Sequence, residues 1–177
     1  THVYLRLLQK STAPIPPYHD LQNIFAGSEG IVPIADIRRA VLSARAEKGM
    51  TLLPGYETFK SAGSFFKNPV VSPNEFSGAE SALIDHPDGV CTPPWYWKQI
   101  DGLVKISAAC LIESAGFPKG YRDGSVGISP KHALAIINCG GATAADIAVL
   151  ARKIQNTVYD KYGVVLEREV QYIGIAE

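Results

Sequence analysis

A chain of 177 residues, 46% of them hydrophobic, has enough apolar mass to bury a core as one domain or two small ones, which excludes a disordered segment. Seventeen Lys plus Arg balance seventeen Asp plus Glu, so net charge provides no drive toward nucleic acid or an anionic membrane surface. No apolar run approaches the roughly 18 residues that span a bilayer, and Thr1 to Lys10 lack the basic, apolar, small-residue order of a signal peptide, so a soluble, cytoplasmic chain is expected.

In chain order, Val3 to Leu8 are rich in strand formers and predict a strand, and Pro14-Ile15-Pro16-Pro17 predicts the loop that ends it. From Pro33, the apolar residues Ile34, Ile37, Val41 and Leu42 recur at helical spacing, with Asp36 near the positive helix end. This predicts a helix to about Lys48, its end made basic by Arg38, Arg39, Arg45 and Lys48. Residues 50 to 100, with many Gly, Pro, Ser and aromatic residues and no sustained period, predict loops and short strands. A short helix is expected over Ile106 to Ala115, stopped by Gly116, and a buried strand over His132 to Asn138. Thr143-Ala144-Ala145-Asp146 is a capping-box variant before the apolar stripe Ile147, Leu150, Ala151, Ile154 and Val158, closed by Gly163. Finally, Val164 to Ile175 alternate, with Glu167, Glu169 and Gln171 facing one way and Leu166, Val170 and Tyr172 the other, which predicts a half-buried strand. Helices and strands interspersed with irregular stretches predict an α+β fold.

Several residues could carry chemistry. Cys91, Cys110 and Cys139 are odd in number and widely spaced, which points to free thiols packed as small apolar residues and to no metal site. Ser61-Ala62-Gly63-Ser64-Phe65-Phe66-Lys67-Asn68-Pro69 combines a small-residue turn, a hydroxyl, two aromatics, a cation and an amide, the mixture of a polar ligand site. On composition alone the reading to prefer is a tight turn before a strand, capped by Ser64. A hydrolase nucleophile at Ser64 is rejected, because the second glycine of a nucleophile elbow is missing. Gly140-Gly141 before a helix is ordinary helix entry, since both the dinucleotide fingerprint and the phosphate-loop lysine are missing. Taken singly, Glu169 reads as a solvated carboxylate, His132 as a structural imidazole, Lys48 as a solvated cation and Tyr18 as a ring packed under its loop.

In order, four segments resemble the UDP-N-acetylenolpyruvoylglucosamine reductase family. They are Ala62 to Val71; Lys105 to Phe117; Lys131-His132-Ala133-Leu134 with Asn138; and Leu166-Glu167-Arg168-Glu169-Val170 with Ile173-Gly174. The resemblance implies a fold in which residues 1–53 are the end of an FAD-binding domain and 54–177 a small α+β substrate-binding domain. It implies that NADPH reduces FAD and that the flavin passes a hydride to the enolpyruvyl double bond of the UDP-N-acetylglucosamine enolpyruvate substrate. By this resemblance Ser64 is the proton donor and Glu169 the assisting carboxyl group, a sensible pairing because hydride addition conjugate to a carboxylate builds negative charge. Tyr18 is matched to the uridine end, and Lys48, Asn68 and His132 to the nucleotide-sugar.

The stretch Gly49 to Lys60 carries a few more residues than many members of the family, which leaves the register of Lys48 open. Tyr121-Arg122 is similar to the family's Tyr-Arg motif, but that motif belongs upstream of Thr1, so no role is carried to it. The flavin-holding segment is also expected upstream of Thr1, and the isolated chain is expected to hold flavin poorly and to turn over little. A nucleotide-sugar binding module without redox activity is the alternative; a hydroxyl and a carboxyl at the two proton-handling positions favour the reductase.

Overall fold

The computed structural model describes residues 2–51, 60–84, 91 and 94–174, and these divide into two units, Thr1–Thr58 and Phe59–Glu177. The elements are α+β throughout.

In the first unit, β1 (Thr12–Pro14) pairs antiparallel with β2 (Ile31–Pro33), Ala13 opposite Val32. Between them lies α1 (His19–Ile24), and after β2 comes α2 (Ile34–Glu47). Pro33 serves α2 as its N-cap with extended backbone, Asp36 sits in the first turn, and Leu21, Ala40 and Ala46 are buried where α1 and α2 pack. The strand expected over Val3 to Leu8 does not form. Val3, Tyr4, Leu5, Leu7 and Leu8 are each at least 76% exposed and unassigned. Strand-forming side chains do not hold a strand unless another strand takes up the backbone N–H and C=O groups, and among the described residues none does so here. The expected boundary at residues 53 and 54, and most of the Gly49 to Lys60 stretch, lie outside the described residues.

The second unit is built around α5 (Ala144–Tyr162). Its N-terminus is satisfied by the expected capping box: the Asp146 amide donates to the Thr143 hydroxyl, and the Asp146 carboxylate accepts from the Thr143 amide at 2.8 Å. Gly163 closes it in the left-handed conformation, φ 66°. Of the stripe predicted for the core, Leu150, Ala151, Ile154 and Val158 are 1% exposed or less, and Ile147 is partly buried. Burial of each of the three larger side chains stabilises the fold by roughly 1.5–3 kcal/mol.

The unit has two antiparallel sheets made of very short strands, the first of which packs on α5. One has the order β3 (Lys60–Ser61), β9 (Ile136–Asn138), β8 (Val126–Ile128), β7 (Arg122–Asp123). The other has the order β4 (Val70–Val71), β6 (Val104–Ile106), β5 (Tyr96–Lys98). Helices α3 (Pro73–Ile84) and α4 (Ala108–Ser114) both pack on α5.

Four expectations need correction in this unit. Residues 50 to 100 are not only loops and short strands, because α3 forms within them. Ser72 and Glu75 cap it reciprocally, the Ser72 amide donating to Glu75 at 2.8 Å, and Pro73 occupies the first position, where a missing N–H costs nothing. The strand expected over His132 to Asn138 is confined to Ile136–Asn138, since His132 to Ala135 form a turn closed by the Ala135 amide on the His132 carbonyl. Along residues 164–172 the expected alternation of burial is present, but the segment makes only one β-bridge, Phe66 to Arg168. The opposing chain offers no longer ladder, because Pro69 has no N–H and Asn68 turns to cap α4. Lastly, two cysteines are not free: Cys91 and Cys110 are disulfide-bonded, Cα atoms 5.1 Å apart, and Cys139 alone remains a thiol. Their 19-residue separation carries no recognisable spacing, and it is the fold that brings them together.

Candidate functional site

In the first unit, Tyr18 and Lys48 line the same cleft, of about 410 Å³, although they are thirty positions apart in the sequence. Tyr18 is the N-cap residue of α1 and Lys48 the C-cap residue of α2, so packing of the two helices brings these ends together. Leu21, Val41 and Ala44 supply an apolar wall, and Asp20 holds the Lys48 ammonium in an ion pair that is a little under half exposed. Arg45, on the same rim, is turned back onto the Met50 carbonyl at 3.0 Å and closes the end of α2. A flat ring against Tyr18 and the apolar wall, with an anionic group at Lys48 in competition with Asp20, suits this cleft.

The second unit assembles Ser64, His132 and Glu169 around one main chain. The Phe65 amide donates to the Leu134 carbonyl at 2.8 Å, and the Phe65 carbonyl accepts from the Glu169 amide at 2.9 Å. The Lys67 amide donates to the Glu167 carbonyl at 2.9 Å, completing the bridge between 65–67 and 167–169. Ser64 is therefore the residue next to a clamp that fixes both the turn after His132 and the backbone of Glu169. The clamp itself is anchored by Phe65 and Phe66, 3% and 1% exposed. Gly63 precedes Ser64 at φ +84°, a conformation that favours glycine, and a Cβ there would meet nothing within 4 Å, so the backbone before the serine faces open space.

The side chains differ in how far they are committed. Among the described residues, neither the half-buried Ser64 hydroxyl nor the exposed Glu169 carboxylate has a hydrogen-bond or ionic partner. Asn68 is engaged: its Oδ1 accepts from the Ala108 amide at 2.9 Å, in the first turn of α4, and its side chain borders a second cleft with Lys67, Glu75 and Glu167. His132 accepts at Nδ1 from the Leu134 amide at 3.1 Å, which places the proton of the neutral ring on Nε2 and makes that atom a donor. Tyr121, to which no role was assigned, accepts from Lys153 at 3.1 Å, and Lys153 also binds Asp123 at 2.7 Å. That Lys153 hydrogen bond is the main reason the Asp123 carboxyl is held below its ordinary pKa.

Sequence reasoning did not single out Phe65, because its part is played by main-chain atoms that every residue has. The signal that could have found α3, the run Ser72-Pro73-Asn74-Glu75, was present.

A sequence model described as "UDP-N-acetylenolpyruvoylglucosamine reductase, C-terminal domain" matches residues 55–173, two thirds of the chain. The chain belongs to this family. The UDP-N-acetylenolpyruvoylglucosamine reductase of Thermobifida fusca (strain YX) is 48% identical over 159 residues, covering 89% of this chain and 44% of the relative. That of Nocardia farcinica (strain IFM 10152) is 41% identical over 168 residues, covering 93% and 43%. That of Mycobacterium tuberculosis (strain ATCC 25618 / H37Rv) is 43% identical over 141 residues, covering 78% and 37%. The chain thus spans less than half the length of these curated reductases. Ser64, Asn68, His132 and Glu169 fall inside the region matched by the reductase model, whereas Tyr18 and Lys48 precede it. Among the described residues no helix is long and apolar enough to cross a membrane, and no group of His, Cys, Asp and Glu side chains could hold a metal ion.

Proposed function

We propose that this chain is the substrate-binding, C-terminal part of a cytoplasmic reductase that acts on the enolpyruvyl ether of UDP-N-acetylglucosamine in peptidoglycan precursor synthesis. In this reading residues 1–53 end an FAD-binding domain and 54–177 form the substrate domain. The observation that carries the proposal is the Phe65 clamp, which holds Ser64 and Glu169 on adjoining backbone although they are 105 positions apart in the sequence.

An uncommitted hydroxyl and an uncommitted carboxylate on adjoining backbone fit the proton-handling side of a flavin-dependent reduction. FAD, reduced by NADPH, supplies the hydride when bound. The Ser64 hydroxyl donates a proton to the carbon adjacent to the one that receives the hydride, and the Glu169 carboxyl group stabilises the enol-like charge that precedes this transfer. A serine hydroxyl is a poor acid in water, so the step needs a site from which water is excluded. By the resemblance to the family, Asn68 and His132 are assigned to sugar or phosphate oxygens, Tyr18 to the uridine end and Lys48 to the nucleotide-sugar, where a cation suits a diphosphate. A binding module without redox activity would need neither the hydroxyl nor the carboxyl at this clamp.

The test uses the full-length enzyme. Ser64→Ala is expected to lower kcat by about 10²–10⁴-fold while leaving reduction of the flavin by NADPH unchanged. Turnover at the wild-type rate would defeat the reading. A calorimetric titration of the 177-residue chain with the enolpyruvyl UDP-sugar, beside an absorbance scan for flavin, is expected to show substrate binding by a colourless protein.

A further inference from the structure

Two of the three cysteines meet in the second unit, and their surroundings differ in a way that matters for thiol chemistry. Cys110 lies within α4 and is 5% exposed, whereas Cys91 lies outside any helix or strand and is partly exposed. The Cys91 sulfur also lies 3.4 Å from the Ser114 hydroxyl, one turn further along α4. A second link runs nearby, because the Ser107 amide, at the N-cap of α4, donates to the Trp95 carbonyl at 2.8 Å. Among the described residues, Cys91 and Trp95 are thus joined to α4 by one covalent bond and two hydrogen bonds.

We propose that Cys91 and Cys110 form a reversible thiol–disulfide site that exchanges with low-molecular-weight disulfides through Cys91. In the oxidising direction, the Cys91 thiolate attacks one sulfur of a small disulfide RSSR, forming the mixed disulfide Cys91–S–S–R and releasing RS⁻. The Cys110 thiolate then attacks the Cys91 sulfur, closing the intramolecular bond and releasing a second RS⁻. Two cysteine thiols lose two electrons and two protons, and RSSR becomes two RSH. The reducing direction is the reverse, with a small thiolate attacking the partly exposed Cys91 sulfur. Access decides the order, because the buried sulfur of Cys110 cannot meet a solution reagent first. Opening the bond removes the covalent tie between Cys91 and α4 and leaves, among the described residues, the Cys91–Ser114 and Trp95–Ser107 hydrogen bonds.

The test is a redox titration of the 177-residue chain in glutathione buffers running from fully oxidised to fully reduced, quenched with an alkylating reagent and read by peptide mass. Cys91 and Cys110 are expected to become alkylatable together as the buffer becomes reducing, while Cys139 forms no bond to either of them. The thermal midpoint is expected to fall by about 6–12 °C on reduction, from the loop the bond closes and the size of the chain. Cys110→Ser is expected to accumulate a glutathione adduct on Cys91, and Cys91→Ser to accumulate none on Cys110. The proposal is overturned if both cysteines stay alkylatable in fully oxidised buffer, if the bond survives excess reduced glutathione, or if Cys139 is the residue that pairs. The wild-type titration decides these points even if a variant does not fold.

Discussion

Asn68 and Ala108, forty residues apart, are joined by a 2.9 Å hydrogen bond from the Ala108 amide to the Asn68 side-chain oxygen. The first turn of α4 therefore depends on a side chain from outside the helix. Asn68→Ala would leave the amide of the buried Ala108 without its acceptor and is expected to cost about 1–3 kcal/mol, measured as a shift in the urea midpoint of the chain. Asn68→Asp keeps an acceptor in place and is expected to recover most of that loss. If both variants destabilise equally, the hydrogen bond is not what holds the helix entry.

Acid should weaken the fold through three surface carboxylates. Asp146 is held below its ordinary pKa of 3.8 chiefly by the Thr143 amide, Glu75 below 4.5 chiefly by the Ser72 hydroxyl, and Asp123 below 3.8 chiefly by Lys153. A carboxyl group with a lowered folded-state pKa releases its proton more readily in the native protein than in the unfolded chain. Its stabilisation is fully present above the ordinary value and is lost as pH falls through the lowered one. Urea midpoints measured from neutral pH downward are expected to hold steady and then fall below about pH 4. Asp146→Asn and Glu75→Gln should each flatten part of that fall, and an unchanged acid limb in both variants would rule out the capping carboxylates as its source.

Gly127→Ala is expected to be among the most damaging single-methyl additions. A Cβ at this position would stand 2.4 Å from the Tyr121 carbonyl oxygen and 3.3 Å from the Cys139 sulfur, where β7 and β8 pair. Backbone cannot swing aside as a flexible side chain can, so a loss of about 1–3 kcal/mol is expected. Thermal unfolding checks it, and a midpoint equal to wild type would mean that the strands separate without cost.

The long helices were legible because they repeat: α5 carries its stripe from Ile147 to Val158 between a capping box and a glycine, and α2 carries Ile34, Ile37 and Val41 after Pro33. The strands of two or three residues are too short to leave a period, so their pairing had to come from tertiary structure. The end of the chain shows where pattern and structure part. Burial alternates from Val164 to Tyr172 as the side chains predict, but hydrogen bonding depends on the opposite segment, which Pro69 cuts short. The stretch Val3 to Leu8 shows the same limit, since propensity alone does not supply a partner strand. Within the candidate site, Ser64 and Glu169 were singled out only through family resemblance, and the closeness of their backbones was invisible because main-chain groups of Phe65 produce it. The cysteine pair was invisible for a similar reason: nothing in the sequence between Cys91 and Cys110 reports that the chain turns back on itself.

The clamp at Phe65 also sets a timetable. Its amide is satisfied by residue 134 and its carbonyl by residue 169, so the carbonyl bond closes only after nearly the whole described chain has been made. During synthesis α3, α4 and much of α5 can form while Ser64 still lacks the neighbour that brings Glu169 to it. A nascent chain halted within α5 would carry most of the helices and none of the bridge between 65–67 and 167–169, so the place proposed for chemistry is the last part of this unit to exist.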